Sequence, residues 1–209
     1  GSGELDSTWF IMVGEGLGDE GIIQLRMNKI RKGTTLSICD IVYWDAKYLD
    51  SSYELPKSYF MEGIDTFVVR DSWEKGALFT GLHGGRNTVN HGNIDSGTFI
   101  YVNDSITWFC ELGSENYNVG SYFSNATRYT FYKCNTEGQN SICIVGDQAN
   151  IKYGQRSEAV SKTVAYDENA YGAYHILDMT ECYWTNTNYG YRGLLVTNDY
   201  KTTVIYDDI

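Results

Sequence analysis

The residues best suited to chemistry lie between Gly84 and Asn118, in the stretch GGRNTVNHGNIDSGTFIYVNDSITWFCELGSENYN. It holds His91, Asn93, Asp95, Glu111 and Tyr117, with His83 just before it and Arg128 and Gln139 after it. A histidine, with an unperturbed pKa of ~6.5, can give or take a proton near neutrality. Carboxylates, an amide and a tyrosine beside it would make a proton-transfer site. The runs Phe99-Ile100-Tyr101-Val102 and Ile106-Thr107-Trp108-Phe109 are β-branched and aromatic, and Asn103-Asp104 between them is turn chemistry. A two-residue turn at Asn103-Asp104 sets Glu111 opposite Ser96, so the loop His91–Asp95 ends beside the return strand's exit, Glu111 to Tyr117. A turn one residue longer shifts the register and swaps the faces.

The elements that must position these residues change character along the chain. From Thr8 to about Tyr48 the pattern is helical: Trp9, Phe10, Met12, Val13 and Leu17 precede the breaker Gly18. Asp19 can cap a segment carrying Ile22, Leu25, Arg26 and Ile30. Gly33 ends that segment, and Thr34 or Thr35 can start a shorter helix through Ile38, Ile41 and Val42. Residues 51–58, around Pro56, read as a linker. Beyond them the period becomes two, with strands expected over 66–70, 77–80, 97–102, 106–110, 141–145, 160–166, 174–177, 193–197 and 202–206. The expected fold is mainly β, an antiparallel β-sandwich over 59–209 preceded by a short helical segment over 1–50. Helices are expected only before about Tyr48.

Composition narrows the function. The 209 residues include 18 tyrosines, 22 glycines and one proline, which favours strands and turns over a helical bundle. The net charge of −11 argues against nucleic acid, because there is no basic patch to neutralise phosphates. No apolar run approaches the ~20 residues that span a bilayer, so no membrane partner is expected. Gly1-Ser2-Gly3 reads as a cloning remnant. Five cysteines without a C-x-x-C pair argue against a disulfide framework or a zinc-thiolate site. Cys110 and Cys143 read as small buried hydrophobes. The cysteine pattern fits a reduced cytoplasmic protein and a secreted bacterial one equally.

The spaced elements Asn90-His91-Gly92-Asn93-Ile94-Asp95-Ser96-Gly97-Thr98-Phe99, Glu111-Leu112-Gly113 and Gly138-Gln139-Asn140-Ser141 resemble the signature of the heparinase II/III-like proteins. The likeness continues through Arg128-Tyr129-Thr130, Ile176 to Thr180 and Tyr191-Arg192-Gly193. Those proteins are polysaccharide lyases with an α/α toroid followed by a β-sandwich, and they cleave uronate-containing glycans by β-elimination. The resemblance implies that residues 1–50 are the last toroid helices and that residues 59–209 are the sandwich, cut short. It also implies an acidic polysaccharide or oligosaccharide as partner, together with the missing toroid, whose helices carry the family's Tyr, His and Arg. The 209 residues alone are then expected to be inactive.

On this resemblance His91 matches the catalytic histidine that the sandwich brings to the cleft. Arg128, Tyr117, Asn93 and His83 are the candidates to bind substrate. Arg128 would pair with a sugar carboxylate, with a salt bridge to Glu111, Glu115 or Glu137 as the competing role. Tyr117 would stack on a sugar ring, with core packing as the alternative. Asp95 would anchor the loop. The family's zinc ligands, His, Asp and His, fall on Asn93, Glu111 and Gln139, so no metal or other cofactor is expected. Calcium would lack carboxylates there. Those three side chains would instead hydrogen-bond one another and hold the loops. The other reading is a glycan-binding or scaffold module without catalysis.

Overall fold

The computed structural model describes residues 6–50, 52–89, 91–113, 116, 118–124, 126–145, 152–183 and 186–209, with the backbone alone described at 152 and 153. The chain divides into two compact units, Gly1–Pro56 and Lys57–Ile209.

The first unit contains helices α1 (Phe10–Leu17), α2 (Glu20–Arg31) and α3 (Ile38–Val42). Gly18 ends α1 in the left-handed region at φ 67°, which a residue without a Cβ adopts freely. Asp19 caps α2 by accepting from the Ile22 amide at 3.1 Å. Ser37, rather than Thr34 or Thr35, caps α3: its hydroxyl accepts from the Asp40 amide while the Asp40 carboxylate accepts from the Ser37 amide. Ile11, Ile23, Met27 and Tyr48 form the small core. Beside it Arg26 is buried against Asp40, with Nε 2.9 Å from Oδ1 and Nη2 on Oδ2. Nη1 of Arg26 donates to the Ser7 hydroxyl and Nη2 also to the Thr35 carbonyl, so the guanidinium ties three segments together.

The second unit is two antiparallel sheets packed face to face. The first runs in chain order through β1 (Ser58–Met61), β2 (Thr66–Arg70), β3 (Phe79–His83), β4 (Phe99–Asn103) and β5 (Ile106–Phe109). A two-stranded ribbon, β6 (Ile144–Val145) with β7 (Lys152–Tyr153), precedes the second sheet. The second sheet consists of β8 (Lys162–Asn169), β9 (Gly172–Asp178), β10 (Tyr191–Thr197) and β11 (Thr203–Asp208), again each beside its sequence neighbour. Alternation puts Phe67 and Val69 of β2 inside, against Leu177 of β9 and Leu194 and Val196 of β10. Phe60 stacks on Tyr166 with ring centroids 4.1 Å apart, joining the two sheets. Gly84, just past the end of β3, packs tightly against the second sheet. A Cβ there would lie 2.6 Å from Leu177 Cδ2 and 3.0 Å from the Asp65 carbonyl oxygen.

Several expectations need correction. The turn of the β4–β5 hairpin is Asp104-Ser105, both at positive φ (51° and 64°), not Asn103-Asp104. Asn103 pairs with Ile106, Val102 with Thr107 and Tyr101 with Phe109, so Trp108 is the extra residue of a bulge and Glu111 does not fall opposite Ser96. Helix is not confined to the start of the chain. A single turn, α4 (Thr180–Tyr183), follows β9, and three 3-10 turns run through Arg128–Thr130, Tyr132–Cys134 and Thr136–Gly138. Strand β1 begins at Ser58, the last residue of the expected linker, and precedes the first expected strand. The buried cysteines are Cys134 and Cys182, while Cys110 is exposed and Cys143 only half-buried; none of the five is in a disulfide among the described residues.

Candidate functional site

The loop from Gly84 to Thr98 leaves the end of β3 and returns to β4, and its base is closed by backbone bonds. The His83 amide donates to Thr98 O at 2.9 Å and the Gly97 amide to His83 O at 2.7 Å. Its interior is organised by Asn87, which is fully buried. Asn87 Oδ1 accepts from the amides of Asp95 (3.2 Å) and Ser96 (3.1 Å), and Nδ2 donates to Gln155 Oε1 and the Arg156 carbonyl, both at 3.0 Å. The loop is thus anchored by Asn87, where the sequence reading assigns that role to Asp95. Gln155 Nε2 and the Ser141 hydroxyl both donate to the Ser96 carbonyl, and the hydroxyls of Ser96 and Ser161 hydrogen-bond. At the closing strand Arg192 is buried; its Nη1 donates to the carbonyls of Gly97 and Asn140 at 2.7 Å each, and Asp207 holds the other edge of the guanidinium. Gly97 itself, at φ 77°, has no room for a Cβ, which would meet Met179 Sδ at 2.5 Å.

His91 stands exposed on this loop at φ 62°, a conformation a non-glycine residue keeps only where its surroundings hold it. Its ring meets Phe123 edge-on at 5.4 Å. Arg128 lies behind the loop and is only 6% exposed. Its Nε donates to the Gly92 carbonyl (3.0 Å) and its Nη2 to the His91 carbonyl (2.9 Å) and Asn93 Oδ1 (3.3 Å). The structure therefore gathers His91, Asn93 and Arg128. Arg128 is committed to the loop rather than to Glu111 or Glu137, and burial withdraws it from the surface where a sugar carboxylate would meet it.

A second group sits at the loop's end. His83 Nε2 is 3.9 Å from Asp95 Oδ1, and its Nδ1 is 2.7 Å from the Thr66 hydroxyl. Burial, with the negative charge of Glu111 nearby, pushes the Asp95 carboxyl up to about 7. Burial pulls the His83 imidazole down, against an upward pull from Asp65. Both groups are displaced toward their neutral forms, so below about pH 7 this contact is not an ion pair, despite its distance.

The expected mutual bonding of Asn93, Glu111 and Gln139 is not found. Asn93 accepts from Arg128, and Glu111 Oε2 accepts from the Gly113 amide at 2.6 Å. Gln139 Nε2 donates to the Lys133 carbonyl at 2.6 Å, leaving its Oε1 buried without a partner. One orphaned amide oxygen and one carboxylate do not make a zinc site, and among the described residues no group of three His, Cys, Asp or Glu side chains could hold a metal. The residues present do not fit the zinc that the heparinase II/III-like resemblance implies. Tyr117, Asn90 and Glu115 lie outside the described residues.

Neither a family profile nor a curated protein matches the sequence. Solved structures do match. The chain superimposes on a heparinase III gene product at TM-score 0.56 and 16% identity, over 74% of this chain and 22% of that one. A second heparinase III structure gives 0.52 and 19%, over 74% and 23%. The fold is similar to the heparinase III fold. The heparan sulfate lyase HepC from Pedobacter heparinus is similar too, at 0.55 and 11%, over 90% of this chain and 27% of that one. The chain therefore spans about a quarter of the length of these heparinases. At such identities the likeness speaks for the fold, and the chemistry has to be argued from the residues.

Proposed function

We propose that this chain is the sandwich portion of a polysaccharide lyase that cleaves a uronate-containing glycan by β-elimination, with His91 transferring a proton at the cleft. The reading is carried by one observation: on a heparinase III-like fold, the histidine of the motif stands exposed on a loop whose supports, Asn87, Ser96 and Arg128, are buried and hydrogen-bonded. β-Elimination removes the proton next to a uronate carboxylate and protonates the leaving glycosidic oxygen; an imidazole takes the first proton in its neutral form and, as the imidazolium so formed, can deliver the second. On the same reading residues 1–50 are the last helices of a larger helical domain. The apolar surface they present supports this, with Ile38 77%, Val42 68% and Leu17 72% exposed. The test is the full-length protein on a panel of acidic polysaccharides, followed by the absorbance of unsaturated uronate products. His91→Ala is expected to lower the rate by ~10²-fold or more with little change in melting temperature. Full activity in that variant, or its unfolding, would end the assignment.

A second reading, a glycan-binding module without turnover, draws on the unsuitability of Asn93, Glu111 and Gln139 for metal. Binding of an acidic glycan by the full-length protein without any unsaturated product would favour it.

A further inference from the structure

We propose that Arg128 is a positioning residue for His91, acting on its backbone and its ring together; this rests on the reading of His91 as the proton-transfer group. Arg128 makes three hydrogen bonds, and all go to the three consecutive residues His91, Gly92 and Asn93. Two of the acceptors are main-chain carbonyls of the turn in which His91 holds positive φ. A guanidinium presents its donors in a rigid planar fork, so one side chain can fix several acceptors at once; an ammonium, a point donor on a flexible stem, cannot reproduce the pattern.

The second half of the argument is the ring. The Arg128 guanidinium carbon lies 4.7 Å from the Tyr122 ring centroid and 5.9 Å from that of Phe123, and Tyr122 meets Phe123 edge-on at 5.1 Å. Phe123 is also the residue whose ring meets the His91 imidazole at 5.4 Å and 77°. The cation thus sits on the aromatic pair whose Phe123 meets the histidine ring, and it also holds the histidine's own carbonyl. Among the described residues no carboxylate pairs with Arg128, so no ion pair competes with the turn for the guanidinium. Movement of Arg128 would release the backbone of His91 and the aromatic surface against its ring at the same time.

The chain has only three histidines, His83, His91 and His175, so ring carbon–proton NMR spectra of the 209-residue chain give a signal for each. In Arg128→Lys the His91 ring signals should shift and broaden while those of His83 and His175 stay in place. Arg128→Ala should behave alike, with partial return of the His91 signals when guanidinium is added at millimolar concentration. In the full-length protein Arg128→Lys should lower kcat by ~10- to 100-fold with KM within about threefold, the scale expected from misplacing a reacting group by an ångström. An unchanged His91 signal in both variants overturns the proposal, as do shifts of all three histidines together. Should neither Arg128 variant fold, Phe123→Leu decides: it must move the His91 signal alone, and an unmoved signal rejects the coupling. A wild-type protein without lyase activity, but with the His91-specific shift, refutes the functional reading and leaves the clamp standing.

Discussion

The Nε2 of His83 and the Oδ1 of Asp95 lie 3.9 Å apart at the end of the loop, and burial drives the two groups toward neutrality from opposite directions. The first prediction follows from the Asp95 side. A carboxyl raised from 3.8 to about 7 on folding contributes fully below pH 3.8, and that contribution is lost as pH rises toward 7. Above pH 7 the buried carboxylate is a burden of at most ~4 kcal/mol, at 1.36 kcal/mol per pH unit. Asp95→Asn should therefore raise the melting temperature at pH 8 and leave it nearly unchanged at pH 3.5. Thermal unfolding at the two pH values checks this; a loss of stability at pH 8 would count against it.

His175 should show the opposite slope. It is fully buried between the sheets, 5.6 Å from the Phe60 ring and 5.7 Å from that of Phe67, with Nε2 2.9 Å from the Thr163 hydroxyl. Burial, only partly opposed by Asp65, pulls it down to about 4. Its contribution is present above 6.5 and is lost as pH falls toward 4, where the unfolded chain takes up a proton that the folded one refuses. The size is on the order of 3 kcal/mol. Between pH 4 and 6.5 the two groups offset each other. His175→Gln should unmask Asp95, so that denaturant midpoints rise on acidification from pH 7 to 4 more steeply than in the parent.

The buried side chain of Asn87 makes four hydrogen bonds. Asn87→Ala leaves two loop amides without their acceptor and Gln155 Oε1 without its donor, while the Arg156 carbonyl keeps only the longer bond from the Ala159 amide at 3.3 Å. A loss of ~3–5 kcal/mol is expected from several unpaired groups at ~1–3 kcal/mol each. Val89→Ala, in the same loop but exposed, should stay within about 0.5 kcal/mol. Equilibrium denaturation of both variants distinguishes a hub from a bystander.

In the helical unit the Arg26–Asp40 pair offers a separate test. Burial works against the Asp40 carboxylate, yet Arg26 and the Ser37 amide and hydroxyl hold it below the usual carboxylate range. Asp40→Ala strands a buried guanidinium and should destabilise this unit by ~3–5 kcal/mol. Protease cleavage within 1–56 should accelerate in that variant, while the sandwich fragment persists. Equal susceptibility in parent and variant would show that the pair is dispensable.

Much of the sandwich was legible because its strands alternate. Strand β2 matches the expected 66–70 because Phe67 and Val69 point inward between Thr66, Val68 and Arg70. Strand β3, Phe79–His83, lies further along than the expected 77–80, and Gly81 within it is a ladder residue opposite Val68, where a Cβ would lie 3.0 Å from Val68 Cγ1. Strand β1 hid beside Pro56. The hairpin turn slipped because Asn103-Asp104 and Asp104-Ser105 are both plausible locally, and only pairing against β3 chooses between them. At the candidate site the motif points to the loop that carries His91, but not to the side chains that hold that loop. Asn87, Gln155 and Arg192 act on partners far along the chain, 68 positions for Asn87 to Gln155 and 95 for Arg192 to Gly97, and no local pattern encodes such pairings.

That separation along the chain is also a separation in time. The strands of the first sheet each pair with their sequence neighbour and can form as hairpins while the rest of the chain is still unstructured. The loop carrying His91 cannot, because Asn87 closes on Gln155 and Arg156, and Gly85 accepts from the Ser161 amide, across a far longer span. Ordering of the loop must wait for the second half of the chain to arrive. In stopped-flow kinetics Asn87→Ala should then chiefly accelerate unfolding, while changes at the β4–β5 turn slow refolding. A loop that sets last is also the first to open, so amide exchange around His91 should outrun that of the sheets on either side of it.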